Sequence, residues 1–308
     1  MTGVAVLVED LHVQFRDVQA LAGIDLAVAR GTTLGVLGHN GAGKTTLIRV
    51  LTTLLPPTAG RVLVDGLDVV AEGERVRTRI GVTGQYAGLD DFLTGRENLE
   101  LIGSLAGLGT AERRRADELI GRLAMADIAD RRVGTLSGGS RRRIDLATSL
   151  VAGPSVLFLD EPTTGLDPAA RSALWDLVAE LTVSGTTVVL TTQYLEEADR
   201  LADDIVVLDR GRVAARGTPA ELKRLVGGKV VTVAVPTDHL ERISRRPDEM
   251  QPLTDATTRV AYSTSDPHEA AAVVTQLLSD GISIADLEIA SPTLDDVFAH
   301  LTMQGAHS

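Results

Sequence analysis

The stretch Gly38-His39-Asn40-Gly41-Ala42-Gly43-Lys44-Thr45 fits G-x-x-x-x-G-K-[ST]. Its glycines let successive backbone N–H groups turn toward one centre, and the helix expected after it adds the positive end of its dipole. Lys44 brings a point charge to terminal phosphates, while the Thr45 hydroxyl, next to Thr46, can ligate Mg²⁺. Such a loop binds a nucleotide polyphosphate. A second group closes the apolar run Val156-Leu157-Phe158-Leu159, which ends in Asp160-Glu161. At the C-terminal end of a buried parallel strand, Asp160 can hold a metal's water shell and Glu161 can orient and deprotonate an attacking water. A third, Leu136-Ser137-Gly138-Gly139-Ser140, opens the helical run Arg141-Arg142-Arg143-Ile144 and makes a second anion cradle.

These groups need elements to hold them in register. From Val4 to Leu37, short Val/Leu/Ile runs alternate with polar residues and turn signals, which predicts a partly antiparallel sheet whose last strand, Thr32 to Leu37, points into the glycine loop. A helix is expected from Lys44 to Leu54, stopped by Pro56-Pro57. Apolar positions from Asn98 to Ala124 have helical spacing broken at Gly107 to Gly109, and a strand, turn, helix and strand series runs from Val156 to Asp209. Gly227-Gly228 marks a boundary, beyond which VVTVAVP, RVAYST, a helical stretch from Pro267 to Ser279, ISIADLEIA and a terminal helix from Thr293 read as a small α+β domain. The expected division is 1–225, with a helical subdomain at about 86–150, and 226–308.

In this order the motifs resemble the nucleotide-binding subunit of ABC transporters over residues 4 to 225. The resemblance implies an α/β fold: a P-loop ATPase domain with a mixed sheet core, an antiparallel β subdomain and a helical subdomain, followed by the small C-terminal domain. It implies ATP and Mg²⁺ as cofactors and a second copy of the chain as partner. Two nucleotides would be sandwiched, each between Gly38 to Thr46 of one subunit and Ser137, Gly138 and Gly139 of the other. Phe15 stands where the family stacks an aromatic ring on adenine, and Gln85 where a glutamine reaches Mg²⁺ and the water. Asp167, in Thr164-Gly165-Leu166-Asp167, matches a loop that crosses the dimer interface. The switch segment Thr191 to Ala198 carries Gln193 where most members have histidine.

That glutamine, the three arginines after SGGS and Ser291-Pro292-Thr293-Leu294-Asp295-Asp296-Val297-Phe298 are most similar to the daunorubicin/doxorubicin-resistance type of drug-export ATPase. The resemblance implies ATP hydrolysis that powers efflux through a separate transmembrane permease. The chain would then sit at the cytoplasmic face of the membrane, with a regulatory C-terminal domain. The alternatives are another cargo (lipid, polysaccharide or Na⁺) or a non-transport ABC ATPase; the LSGG element and the Asp-Glu pair speak against a P-loop kinase or GTPase.

The whole composition narrows the classes further. With 308 residues, 44 % hydrophobic and 23 % charged, two units can each bury a core. A net charge of −12 with 3 % aromatic residues argues against a nucleic-acid partner. The absence of cysteine excludes disulfides, thiolate metal sites and cysteine nucleophiles, and no histidine lies in an H-E-x-x-H spacing. The first residues lack a signal-peptide pattern, and charges interrupt every apolar run before it could span a bilayer, so a soluble chain is expected. Arg141 to Arg143 read as a solvated or interdomain face.

Overall fold

The computed structural model describes residues 3–84, 88–225, 229–264, 267–290 and 293–298. The chain divides into two compact units, Met1–Thr218 and Pro219–Ser308.

The first unit opens with strands β1 (Val4–Phe15), β2 (Val18–Ala29) and β3 (Thr33–Leu37), then helix α1 (Lys44–Leu51), β4 (Ala59–Val64), β5 (Leu67–Asp68), α2 (Gly73–Arg77) and β6 (Ile80–Thr83). Helices α3 (Gly95–Leu105), α4 (Glu112–Arg122) and α5 (Gly138–Ser149) follow. The unit closes with β7 (Val156–Asp160), α6 (Pro168–Val183), β8 (Thr187–Thr192), α7 (Leu195–Leu201), β9 (Asp204–Asp209) and β10 (Arg212–Gly217). One sheet has the order β2-β1-β4-β5 with antiparallel pairs; the other runs β10-β9-β3-β8-β7-β6, parallel except for the β10 edge. Every residue of β3, β7 and β8 is buried, because both faces of this sheet are covered. In β7 the faces separate cleanly. Val156 and Phe158 join a core shared with the antiparallel sheet, whereas Leu157 and Leu159 join a core made with α3 to α6.

Helix α1 ends at Leu51, three residues short of the expectation. Thr53 adopts φ 63°, and the Leu54 and Leu55 amides both fold back to the Arg49 carbonyl, so a left-handed cap closes the helix before the prolines act. Thr94 and Glu97 form a capping box that starts α3. In the second unit, α8 (Pro219–Arg224) precedes β11 (Val230–Pro236), β12 (Glu249–Thr254), β13 (Thr257–Ser263), α9 (Pro267–Ser279) and β14 (Asp286–Ala290). Its sheet, ordered β12-β13-β11-β14, is antiparallel, and Val231, Val233 and Tyr262 pack with Val273 and Leu277 of α9 in an α+β arrangement. Among the described residues, no helix is long and apolar enough to cross a membrane.

Candidate active site

The loop from Gly38 to Gly43 leaves β3 at the centre of the parallel sheet, at the C-terminal ends of its strands. Two of its glycines are required by contact. A Cβ on Gly38 would lie 2.6 Å from the Leu208 carbonyl oxygen, and one on Gly43, whose φ is 109°, would lie 2.7 Å from Leu21 Cδ2. The loop also leans on the β9–β10 turn, where the Gly211 amide donates to the Ala42 carbonyl. His39 is held from two sides, with Nδ1 2.7 Å from the Asn40 carbonyl oxygen and Nε2 2.9 Å from Asp209 Oδ1. Both neighbours are acceptors, which raises the imidazole pKa, the Asn40 carbonyl most and Asp209 next.

Asn40, Gly41, Gly43, Lys44, Thr45 and Thr46 line a cleft of about 530 Å³, together with Glu161 and Val18. Lys44 is nearly buried; its Nζ donates to the Gly38 carbonyl at 2.7 Å and to the His39 carbonyl at 3.2 Å, and lies 4.0 Å from Glu161 Oε1. Burial lowers the Lys44 pKa, and Glu161 and Asp160 push it back up. Asp160, the last residue of β7, is buried. Glu161 follows it at φ 48°, a left-handed conformation that turns the chain out of the sheet and leaves the carboxylate on the cleft wall.

Thr191 joins the two acids. The register pairs Asp160 with Thr191 of β8, whose hydroxyl donates to Asp160 Oδ1 at 2.5 Å and accepts from the Glu161 amide at 3.1 Å. Sequence reasoning assigned this threonine only to the switch segment; its place opposite Asp160 is a matter of strand register. Phe15 lies outside the cleft lining, exposed at the end of β1, opposite Val18. Gln85 lies outside the described residues.

The remaining motif residues stand apart from the cleft lining. Ser137 caps α5 by accepting from the Ser140 amide, Asp167 caps α6 through the Ala170 amide, and both are exposed, as is Gln193 just after β8. Gly139 packs on the start of α6, where a Cβ would approach Ala170 Cβ to 2.8 Å, while one on Gly138 meets nothing within 4 Å. A substitution that alters this loop without disturbing the packing on α6 is therefore cleanest at Gly138. Of the expected solvated or interdomain face at Arg141 to Arg143, the solvated alternative is corrected. Arg141 pairs with Asp91 at 2.5 Å, Arg143 donates to the Leu123 and Ala124 carbonyls, and Arg142 is mostly shielded, its side chain 12 % exposed.

Comparison with known proteins agrees with this geometry. A family model for ABC transporters matches residues 21–164, and one for the DrrA1-3-like ATP-binding protein C-terminal domain matches 217–302. The daunorubicin resistance ATP-binding protein DrrA3 of Streptomyces coeruleorubidus is 50 % identical, over 98 % of this chain and 97 % of that one. The daunorubicin/doxorubicin resistance ATP-binding protein DrrA of Streptomyces peucetius is 45 % identical over 94 % and 89 %. Among solved structures, an ATP-binding subunit of an ABC transporter superposes with a TM-score of 0.65 at 29 % identity, over 72 % of this chain and 92 % of that one. A dimeric ATP-binding cassette bound to ADP and Pi superposes at 0.62 with 26 % identity, over 69 % and 98 %. With a glycine loop, a buried lysine and a carboxylate pair at one cleft, and with relatives alike over nearly the whole length, the chain belongs to the ATP-binding proteins of ABC transporters, an ATPase family, in the daunorubicin-resistance group.

Proposed function

We propose that the chain hydrolyses ATP to power efflux of a drug or antibiotic through a separate membrane-spanning permease. It works as a nucleotide-sandwich dimer at the cytoplasmic face of the membrane. The observation that carries the chemistry is the convergence of Lys44 and Glu161 on one cleft, with Asp160 and Glu161 both bound to Thr191. The cargo rests on the relatives named for daunorubicin and doxorubicin resistance.

In this reading Phe15 stacks on adenine, and the loop amides from Gly38 to Gly43 with Lys44 bind the phosphates. Lys44 then exchanges the loop's own carbonyls for phosphate oxygens. The oxygen donors Thr45 and Asp160, with Gln85, suit a hard cation such as Mg²⁺. When bound, that ion neutralises phosphate charge. Glu161 accepts the proton of the attacking water, and Gln193 holds the γ-phosphate by an amide hydrogen bond. Ser137, Gly138 and Asp167, which are exposed, and Gly139, which is half-buried, all stand apart from their own cleft lining and serve the site of the second copy. Residues 1–225 form the nucleotide-binding domain and 226–308 an accessory, regulatory one.

The test is Glu161→Gln. It should retain ATP binding and lower turnover by about 10²- to 10⁴-fold, because the amide cannot take the proton, and the protein should accumulate as an ATP-bound dimer. Near-normal turnover would remove Glu161 from this role. Co-purification with a multispanning protein and ATP-dependent drug extrusion by the pair test the transport reading. A pair that hydrolyses ATP and extrudes no drug would point to another cargo.

A further inference from the structure

Helix α5 starts at the Ser137 cap and carries three consecutive arginines that point in different directions. Arg142 reaches the catalytic strand. Its side chain is 12 % exposed, and its guanidinium donates from Nε to the Pro162 carbonyl at 2.9 Å and from Nη1 to the Gly84 carbonyl at 2.7 Å. Nη1 also meets Asp145 Oδ2 at 3.1 Å, and Nη2 makes a longer contact of 3.4 Å with the Asp160 carbonyl. Asp160 and Pro162 flank Glu161 on either side, and Gly84 immediately precedes Gln85. One planar fork therefore binds backbone from both segments, and only a guanidinium offers donors in so many fixed directions.

The charge arrangement favours the same reading. Burial lowers the Arg142 pKa, and Asp145, Asp160 and Glu197 push it back up, so Asp145 serves as a buried counter-ion while the donors are spent on carbonyls. The backbone at Glu161 has left the regular sheet at φ 48°. A side chain on such a bend is aimed by whatever fixes the peptides on either side of it.

We infer that Arg142 is a positioning residue, which ties the helix opened by Ser137-Gly138-Gly139 to the peptides flanking Glu161 and thereby aims that carboxylate. The inference rests on the reading of Glu161 as the group that activates water. If Ser137 and Gly138 engage the partner's nucleotide, the same helix links that contact to the hydrolytic group of its own subunit.

The experiment uses the full-length protein and two variants. Arg142→Lys keeps a charge beside Asp145 but presents one ammonium to carbonyls that diverge. Arg142→Met combined with Asp145→Asn removes both charges and strands neither. Misplacement of a reacting group by about 1 Å is worth on the order of 10²-fold in rate. We therefore expect kcat to fall about ten- to a hundredfold in both, with the equilibrium ATP Kd within about twofold. In the Glu161→Gln background, Arg142→Lys should lower the residual rate no further, because the group it aims is already disabled. A purely structural role predicts the opposite: a lower melting temperature, kcat unchanged per folded molecule, and additive losses in the double variant. Either variant folding with kcat near wild type while Glu161→Gln is inactive would overturn the inference and leave the proposed function standing. Normal turnover in Glu161→Gln would remove both.

Discussion

Replacing Glu161 by glycine is expected to leave the first unit more stable than replacing it by alanine, with hydrolysis lost in both. Glu161 sits at φ 48°, where an L-residue is roughly 1–2 kcal/mol less favourable than in right-handed space. Glycine escapes that penalty but gives back roughly 0.5–1 kcal/mol of conformational entropy. The side chain itself contributes little to the fold: Thr164 Oγ1 donates to Oε2 at 3.3 Å, and Lys44 Nζ lies 4.0 Å from Oε1. Alanine and glycine delete these contacts equally, so their difference, roughly 0.5–1 kcal/mol, isolates the backbone. For a unit of this size that is about 1–4 °C in melting temperature. Trp175 is the only tryptophan in the chain and is 4 % exposed within the first unit, so its fluorescence reports unfolding of that unit alone. An alanine variant more stable than the glycine variant by the full entropic difference of roughly 0.5–1 kcal/mol would show that the left-handed turn stores no strain. Hydrolysis surviving in either would refute the role of the carboxylate.

Thr191→Val keeps the shape of a buried side chain but removes the hydroxyl shared by Asp160 and the Glu161 amide; a denaturant melt should show a loss of roughly 1.5–3 kcal/mol, as for a hydrogen bond to a charged group. An unchanged midpoint would show that the bridge is not stabilising. At His39 the folded pKa is raised, so folding takes up protons: its contribution is full below about pH 6.5 and is lost as pH rises through the higher folded value. The gap in melting temperature between wild type and His39→Gln should therefore be widest near pH 6 and close toward alkaline pH; a constant gap contradicts the pairing with Asn40 and Asp209. Gln193→Ala should lower turnover by about one to two orders of magnitude, whereas Gln193→His should retain substantial activity, both measured across roughly pH 6 to 8 with the membrane partner present. Full activity of the alanine variant would end the proposed γ-phosphate contact.

What could be read from the sequence divides along a physical line. The loop from Gly38 to Thr45 and the Asp160-Glu161 pair announce themselves because their chemistry needs given residue types at fixed local spacing, and the run Val156 to Leu159 could only be a covered strand. Thr191 could not be found that way. It meets Asp160 through the pairing of β7 with β8, and nothing local distinguishes it from Thr192 beside it. The end of α1 escaped for a related reason, since a left-handed threonine closes the helix before the proline signal. The solvated alternative for the arginine run failed on different grounds. Successive helical residues are about 100° apart, so three in a row sweep about 200° of the surface and cannot all share one solvent face. Arg141 accordingly binds Asp91, Arg143 the Leu123 and Ala124 carbonyls, and Arg142, between them on the helix, the catalytic strand. Charge was the conspicuous property of that run, but direction around the helix decides what each charge does. A mostly shielded arginine that spends its donors on carbonyls looks, in sequence, the same as one in water.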